Sequence, residues 1–345
     1  MVDTKRQRRE KWKRLIAAAT IMMASVFPVS ASVPAQAVEM PVNRSQVPQQ
    51  AQFPQLSNIT FGKEITGPKI PQTRDRRWVH QGLEYLPLER WFVMTAYVHG
   101  PTKPKREASK LSVVDEATAE KVKTVQLFES ENRKHMGHVG GVTATDSHLY
   151  VASTAGKEKY LLLRYRLEDL RKASDGDKLV ADKVYRLPHR TSYVKYSPHH
   201  NWLLVGQWVP NKSKKAGTLQ AYWLDEQGDP HYVREFRTPK SVQGIELIRD
   251  EAKKRDIVIY SISTGRKNYG QLLVKNGLGA KAKKVFKRKL KTTMTQNVAL
   301  VLKNGLPYLA IGNESGAAKY KDGARKISPY LSIVPIKERE ERVKD

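Results

Sequence analysis

A short hydrophobic pattern recurs five times along this chain of 345 residues. In each unit an apolar segment is followed, after a polar turn, by a second apolar segment. The second residue of each unit falls at position 82, 141, 193, 244 and 297, so the spacings are 59, 52, 51 and 53 residues. Short strands that repeat about every 50 residues are typical of β-propeller blades. The pattern predicts an all-β, five-bladed β-propeller.

Within a unit, the alternation of apolar and polar positions predicts four antiparallel strands joined by turns rich in Asp, Asn, Gly and Pro. In the second unit these strands cover residues 142–144, 149–153, 160–166 and 183–187. The fifth unit is one strand short. We expect the N-terminal segment 59–65 to supply the missing outer strand and so to close the last blade.

The first 37 residues predict a secretory signal peptide. A basic segment precedes an apolar stretch over residues 15–26, and Ala35-Gln36-Ala37 offers small residues at a cleavage site before Val38. The alternative is an uncleaved membrane anchor, for which the apolar stretch is short. After cleavage we expect no transmembrane segment and a protein that is secreted or associated with the cell wall.

The rest of the chain divides into three predicted parts. Residues 38–56 are rich in Pro and Gln and predict a disordered tether. Residues 57–337 form the predicted propeller, and residues 338–345 form a charged tail. The absence of Cys excludes a disulfide scaffold and is compatible with a bacterial exported protein.

A formal net charge of +28 predicts attraction to anions, whether nucleic acid, anionic lipid or an acidic polymer. The signal segment holds seven basic and two acidic residues, so its removal still leaves +23. In a propeller, the connections from second to third strand and from one blade to the next share one face. Cations recur in these connections; those we assign to ligand binding are Arg76, Arg77, Lys157, Lys159, Lys212, Lys214, Lys215, Arg266, Lys267, Lys319 and Lys321. Many of the acids fall in the opposite turns, so the pattern predicts one basic face.

A further basic run, over residues 281–291, falls on the predicted outer strand of the fourth blade. It has two interpretations. It is either a charged edge strand protected from pairing with other chains, or an additional polyanion or cell-wall contact.

Polar residues begin the strands that should line the central channel. Three of the five are Gln81, Gln243 and Gln296, whose amides can hydrogen-bond sugar hydroxyls or phosphate oxygens. Glu84 and Glu246 share one register further along, where two carboxylates could act as acid and base on a glycoside. The alternative is that both pair with Lys195 or bind a channel ion or water.

Histidines mark the same end of the channel. The string His135-Met-Gly-His138-Val-Gly-Gly141 enters the second blade, and His80 enters the first. Two His residues alone are an incomplete metal site. We therefore assign His80, His135 and His138 to ligand contact, keep His138 as a catalytic candidate, and predict neither metal nor cofactor.

The strings Ser241-Val-Gln-Gly244-Ile and Thr191-Ser-Tyr-Val194-Lys-Tyr-Ser-Pro198 resemble those of secreted bacterial β-propeller proteins, including helveticin-like bacteriocins. The resemblance covers residues 80–336 at the level of the blade pattern. It implies a secreted propeller that binds a ligand or acts on the cell envelope. It transfers no catalytic residue.

Together these features predict a secreted, monomeric binding protein that recognises an anionic extracellular ligand, such as a cell-wall or surface polymer, through its basic face. The alternative is a hydrolase or lyase that acts on an acidic polysaccharide, with Glu84, Glu246 and His138 at the channel. Nucleic-acid binding is disfavoured, because most of the Trp and Tyr residues fall within strands and form no stacking platform.

Overall fold

The computed structural model describes residues 59–71, 77–99, 107–156, 159–279 and 281–338. These residues belong to one compact unit, Val47–Asp345. The predicted signal peptide, the tether and the tail beyond residue 338 lie outside the described residues.

Within the described residues, twenty-three strands form five sheets, one for each predicted blade. Two strands come first in the chain: β1 (Ile59–Phe61) and β2 (Ile65–Lys69). Blade 1 follows with β3 (Trp78–Leu86), β4 (Trp91–Val98), β5 (Lys110–Asp115), β6 (Lys121–Ser130) and the short β7 (Arg133–Lys134). Blade 2 consists of β8 (His138–Ala144), β9 (His148–Thr154), β10 (Tyr160–Arg166) and β12 (Lys183–Leu187). Helix α1 (Leu167–Lys172) and β11 (Lys178–Val180) lie in the connection between β10 and β12.

The remaining blades continue the pattern. Blade 3 consists of β13 (Tyr193–Ser197), β14 (Trp202–Gln207), β15 (Gly217–Leu224) and β16 (Pro230–Thr238). Blade 4 consists of β17 (Val242–Asp250), β18 (Arg255–Ile262), β19 (Tyr269–Asn276) and β20 (Lys283–Thr293). Blade 5 contains β21 (Thr295–Lys303), β22 (Leu306–Asn313), helix α2 (Ala318–Lys321) and β23 (Tyr330–Glu338). The predicted five-bladed propeller of antiparallel blades is confirmed.

The N-terminal segment closes the ring, as predicted. Strand β1 pairs antiparallel with β23, with Phe61 opposite Ile336. The expected single strand over 59–65 is instead two, because the chain leaves β23 after Phe61 and pairs with it again through β2, where Ile65 lies opposite Ile333. The first and last parts of the propeller therefore share one sheet.

Blade 1 has more strands than the four expected. Strand β11, from the connection between β10 and β12 of blade 2, pairs in parallel with β6. The two-residue β7 also pairs with β6. The outer strand of blade 1 therefore has part of its edge covered, which blocks pairing with another chain there.

The hydrophobic core is divided among the five interfaces between neighbouring blades. Blades 1 and 2, for example, bury Val113, Leu127, Val151 and Tyr165 between them. Equivalent clusters lie between blades 2 and 3, 3 and 4, 4 and 5, and 5 and 1. Each sheet thus buries both faces, which explains the nearly continuous apolar runs of the inner and second strands.

Glycines mark the points where inner strands approach one another most closely. A Cβ atom on Gly140 would lie 2.1 Å from the carbonyl oxygen of Ser192 in the next blade. One on Gly82 would lie 2.7 Å from the carbonyl oxygen of Gly140. Because such distances are shorter than any carbon–oxygen contact, the backbone there excludes other residues. The repeated glycine is therefore a requirement of blade packing around the channel.

Candidate functional site

A cavity of about 1050 Å³ opens at one end of the central channel. Its wall combines the connections between blades, such as Arg190–Ser192, with second-to-third-strand connections, such as residues 208–212. Both sets of connections therefore converge on one face, as the strand order predicts. The predicted Gln81, His138, Gln243 and Gln296 all line this cavity.

Backbone irregularities direct the channel residues into the cavity. Strands β3, β8, β17 and β21 each have a shift in register near their first residues, where Gln81, Gly140, Gln243 and Gln296 lie. A bulge of this kind turns a side chain away from the regular alternation. The amides of three blades consequently form the floor of the cavity.

Glu314, which no sequence pattern marks, lies at the same floor. It follows β22, is buried, and accepts a hydrogen bond of 2.6 Å from Gln81 Nε2. Burial raises the pKa of its carboxyl to about 8, although hydrogen bonds from Gln81 and Gln296 and the charge of Lys319 act in the opposite direction. Glu314 is therefore largely protonated and uncharged at neutral pH.

His138 completes a chain of three side chains at the floor. Its Nε2 donates to Gln81 Oε1 at 3.0 Å, and Gln81 in turn donates to Glu314. The ring lies 4.1 Å from that of Tyr97. Removal from bulk water and the charges of Lys319 and Arg190 lower the pKa of His138 to about 4. The imidazole is thus neutral, and its accessible surface faces the cavity.

Cations dominate the charge around the cavity. Five of them belong to its wall: Arg190, Lys212, Lys289, Lys319 and Arg325. Among the residues that line it in the described ranges, Glu314 is the single acid. Because Glu314 is mostly protonated at neutral pH, the cavity has a net positive charge.

The other predicted cations lie away from the cavity wall. Lys159, Lys214, Lys215, Lys267 and Lys321 are exposed on the connections around it. Arg266 packs beside Tyr320 and donates to two backbone carbonyls. Arg77 pairs with Glu107 at 2.7 Å. Arg76 and Lys157 lie outside the described residues.

Two of the three predicted histidines do not line the cavity. His80 is buried against Gly312 of β22, and burial lowers its pKa to about 3. His135 is also buried, and its ring nitrogens bond Glu129 Oε1 at 2.9 Å and Ser153 Oγ at 2.8 Å. His135 thereby links β6 to β9, whereas His80 packs against β22.

Glu84 and Glu246 meet Lys195 in the channel, as one of the two sequence interpretations anticipates. Lys195 Nζ lies 3.0 Å from Glu84 Oε1 and 2.9 Å from Glu246 Oε2. Thr143 Oγ1 donates to Glu84 Oε2 at 2.7 Å, and the backbone N–H of Leu300 donates to Glu246 at 2.7 Å. Burial alone would lower the pKa of Lys195, but the two carboxylates outweigh it and raise the pKa.

This ion-pair cluster lies outside the larger cavity. Its members line a second cavity of about 370 Å³, which also contains the first-to-second-strand turns. No residue of the cluster lines the larger cavity. The carboxylates are therefore held by internal partners and are remote from the amide floor.

Neither a metal centre nor a membrane span is found in the described part of the chain. No group of three His, Asp or Glu side chains is placed to hold a metal ion there. No helix within those residues is long and apolar enough to cross a bilayer.

No protein-family model matches the chain, and no curated protein matches it. The chain is similar to the major allergen Mala s 1 of Malassezia sympodialis, with 14% identity, a TM-score of 0.42, and 76% and 78% of the two chains covered. It is also similar to a GH43_1 enzyme from Xanthomonas citri, with 10% identity, a TM-score of 0.42, and coverages of 79% and 89%.

A third similar structure is an exo-β-1,3-galactanase from Phanerochaete chrysosporium, with 10% identity and a TM-score of 0.46. The match covers 79% of this chain and 64% of the galactanase. At these scores and identities, none of the three similarities bears on the ligand or activity of this chain. The resemblance to helveticin-like proteins stays a prediction.

Proposed function

We propose that this chain is an exported binding protein that holds an anionic polymer, such as a component of a cell wall or cell surface, in the larger cavity. The observation that carries the proposal is the charge of the cavity wall: five cations surround a floor whose single described acid, Glu314, is mostly protonated at neutral pH. Amides and cations can together bind the hydroxyls and charged oxygens of such a polymer.

The contrast with the opposite face supports this proposal. Two arginines in the turns of that face lie against carboxylates: Arg90 pairs with Glu116 at 2.5 Å, and Arg255 with Asp250 at 3.2 Å. Arg190 and Lys212, in the described structure, have no carboxylate within ion-pairing distance. Unpaired positive charge in a concave surface attracts a polyanion and concentrates it there.

Binding should depend on salt and on the cavity cations. We expect the logarithm of the dissociation constant for a polyanion to rise linearly with the logarithm of salt concentration, because binding releases counterions. In an R190A/K212A variant the slope should decrease by about 2, since each lost contact removes roughly one. Calorimetric titration with polyglutamate and with inorganic polyphosphate, each from low to high salt, measures the slope.

The matched control is K253A/K254A, which removes two exposed cations from the turn between β17 and β18 on the other face. It changes the net charge by the same amount and should leave the slope almost unchanged. Equal losses in both double variants would mean that net charge alone attracts the polymer and that the cavity is not the binding site.

The second candidate function is hydrolysis or elimination on an acidic glycan, and one observation favours it. A mostly protonated Glu314 and a neutral His138 are joined through Gln81 at the floor of the cavity. A carboxylic acid with a pKa near neutrality can act as a general acid, and a neutral imidazole can act as a base. In this proposal they replace Glu84 and Glu246, whose oxygens are occupied by Lys195 and Thr143.

Turnover of acidic polysaccharides distinguishes the two functions. Release of reducing ends or of unsaturated products, abolished in both E314Q and H138N, would establish the enzyme. Binding without release of product would establish the binding protein. Turnover that survives in both variants would exclude these two residues from the chemistry.

A further inference from the structure

Two tyrosines beside the cavity each hold a lysine and an arginine. Lys289 Nζ lies 4.7 Å, and the Arg325 guanidinium carbon 4.8 Å, from the centre of the Tyr269 ring. Lys319 Nζ lies 4.8 Å, and the Arg266 guanidinium carbon 5.4 Å, from the centre of the Tyr320 ring. Each ring attracts its cations through the negative potential of its face.

The two groups are joined into one unit, which we call the blade 4–5 arc. The backbone N–H of Arg325 donates to the carbonyl of Arg266 at 2.9 Å. Arg266 also donates from Nη2 to the carbonyl of Lys319 at 2.7 Å, and from Nη1 to that of Asp322 at 3.1 Å. Connections from two different blades are thereby tied together, so the cations are held in place before any ligand binds.

The arc lacks internal compensation for its positive charge. Within the described chain, none of its four cations forms an ion pair with a carboxylate, and Asp322 contributes its backbone oxygen. Lys289, Lys319 and Arg325 line the cavity, with Glu314 nearby at the floor. Like charges held close together repel one another, and an anion of high charge density would relieve that repulsion.

We propose that the blade 4–5 arc is a phosphate-binding subsite, and that the polymer in the cavity is recognised by phosphate groups on it. This inference rests on the proposed binding function and specifies the chemistry of its ligand. It also assigns a role to Lys289, the member of the basic run 281–291 that reaches the cavity wall.

Charge and geometry favour phosphate over carboxylate. A phosphate monoester presents three terminal oxygens and up to two negative charges, whereas a carboxylate presents two oxygens and one charge. The exposed guanidinium of Arg325 can bind two phosphate oxygens at once, and the Lys289 ammonium adds a point charge. Tyr269 positions both cations and thereby decreases the entropy that they lose on binding.

The test compares polymers of equal charge at fixed ionic strength by calorimetric titration. The probes are inorganic polyphosphate, a phosphorylated mannan, polyglutamate and single-stranded DNA. Three of these probes carry phosphate, and we expect polyphosphate and the phosphorylated mannan to bind at least tenfold more tightly than polyglutamate. Whichever of the two binds more tightly identifies the source of the phosphate, as a free chain or a glycan substituent.

The variants Y269L and Y269F form a matched pair. Tyr269→Leu removes the aromatic face and should weaken polyphosphate binding roughly five- to thirtyfold. Tyr269→Phe keeps the ring and should leave binding nearly unchanged. R325A, which changes an exposed side chain, serves as a second variant if Y269L does not fold, and should abolish the preference for phosphate.

Other results would overturn the inference. If polyglutamate binds as tightly as polyphosphate and R190A/K212A weakens both, the proposed binding function holds and the phosphate subsite is wrong. If Y269L and R325A leave the phosphate preference intact, the arc does not recognise phosphate groups. If single-stranded DNA, which also carries phosphate, binds more tightly than polyphosphate and the mannan, the ligand is a nucleic acid and the proposed cell-wall or surface polymer is wrong. If no probe binds, both the inference and the proposed function fail.

Discussion

The protonation of Glu314 can be measured through the stability of the fold. Burial raises the pKa of this carboxyl from 4.5 to about 8. Between these two pH values the folded chain retains a proton that the unfolded chain has released. The free energy of unfolding therefore decreases as pH rises through this window. Below pH 4.5 both states hold the proton, so Glu314 adds no pH dependence to the stability there.

The difference of 3.5 between these two pKa values sets the magnitude. Each pH unit across which the two states differ by one proton changes the free energy of unfolding by about 1.4 kcal/mol, so the window as a whole contributes about 5 kcal/mol. In Glu314→Gln the side chain keeps its shape and cannot ionise. The stability of E314Q minus that of the unsubstituted chain should therefore increase by about 5 kcal/mol between pH 4 and pH 9.

Urea unfolding at one-unit pH intervals measures this difference directly. Subtracting the two curves removes every other titrating group that both chains share. The matched control is E120Q, which makes the same substitution at an exposed carboxylate before β6. A difference curve for E314Q that stays flat within about 1 kcal/mol would show that Glu314 ionises normally, and the charge assigned to the cavity floor would be wrong.

Three further predictions concern the architecture. Lys195→Met should lower the free energy of unfolding by about 3 to 5 kcal/mol in urea unfolding, because it leaves the buried Glu84 and Glu246 without their cation; a smaller loss would mean that water replaces the ammonium. Gly140→Ala should prevent folding or lower the melting temperature strongly, since its Cβ would overlap the backbone of blade 3; an unchanged melting temperature would place the inner strands farther apart. Deletion of residues 59–71 should expose the edge of β23 and cause association in light scattering; a monodisperse product would show that the N-terminal strands are dispensable.

The architecture can be predicted from the sequence because local features of the chain specify it. Strand alternation has a period of two residues, and each blade repeats it with its own turns, so the number of blades can be counted. The deficit of one strand in the fifth unit indicates where residues 59–65 must go. The division into β1 and β2 was not predicted, since the break after Phe61 depends on how the chain leaves β23.

The channel residues were partly predictable. Gln81, Gln243 and Gln296 share a position in the repeat, and equal positions in equal blades converge on one axis. Glu84 and Glu246 likewise share one register in the repeat, but the repeat does not decide whether they are free or paired. Only distances across the channel, with Lys195 within 3.0 Å of both carboxylates, decide that question.

No sequence pattern marks Glu314, Tyr269 or Tyr320 as part of the site. Each lies in or beside a connection of irregular length, and Glu314 is one carboxylate among many in such connections. Its importance comes from burial beside Gln81, a residue of another blade, and burial is what raises its pKa.

By itself the sequence thus determined the fold class, the closure of the ring and the face on which the basic connections converge, because these follow from periodicity and strand order. The tertiary structure alone decided which charges are neutralised, which cations line the cavity and which carboxyl retains its proton. Those properties depend on desolvation and on distances between residues of different blades. Neither quantity can be derived from the local pattern of the chain.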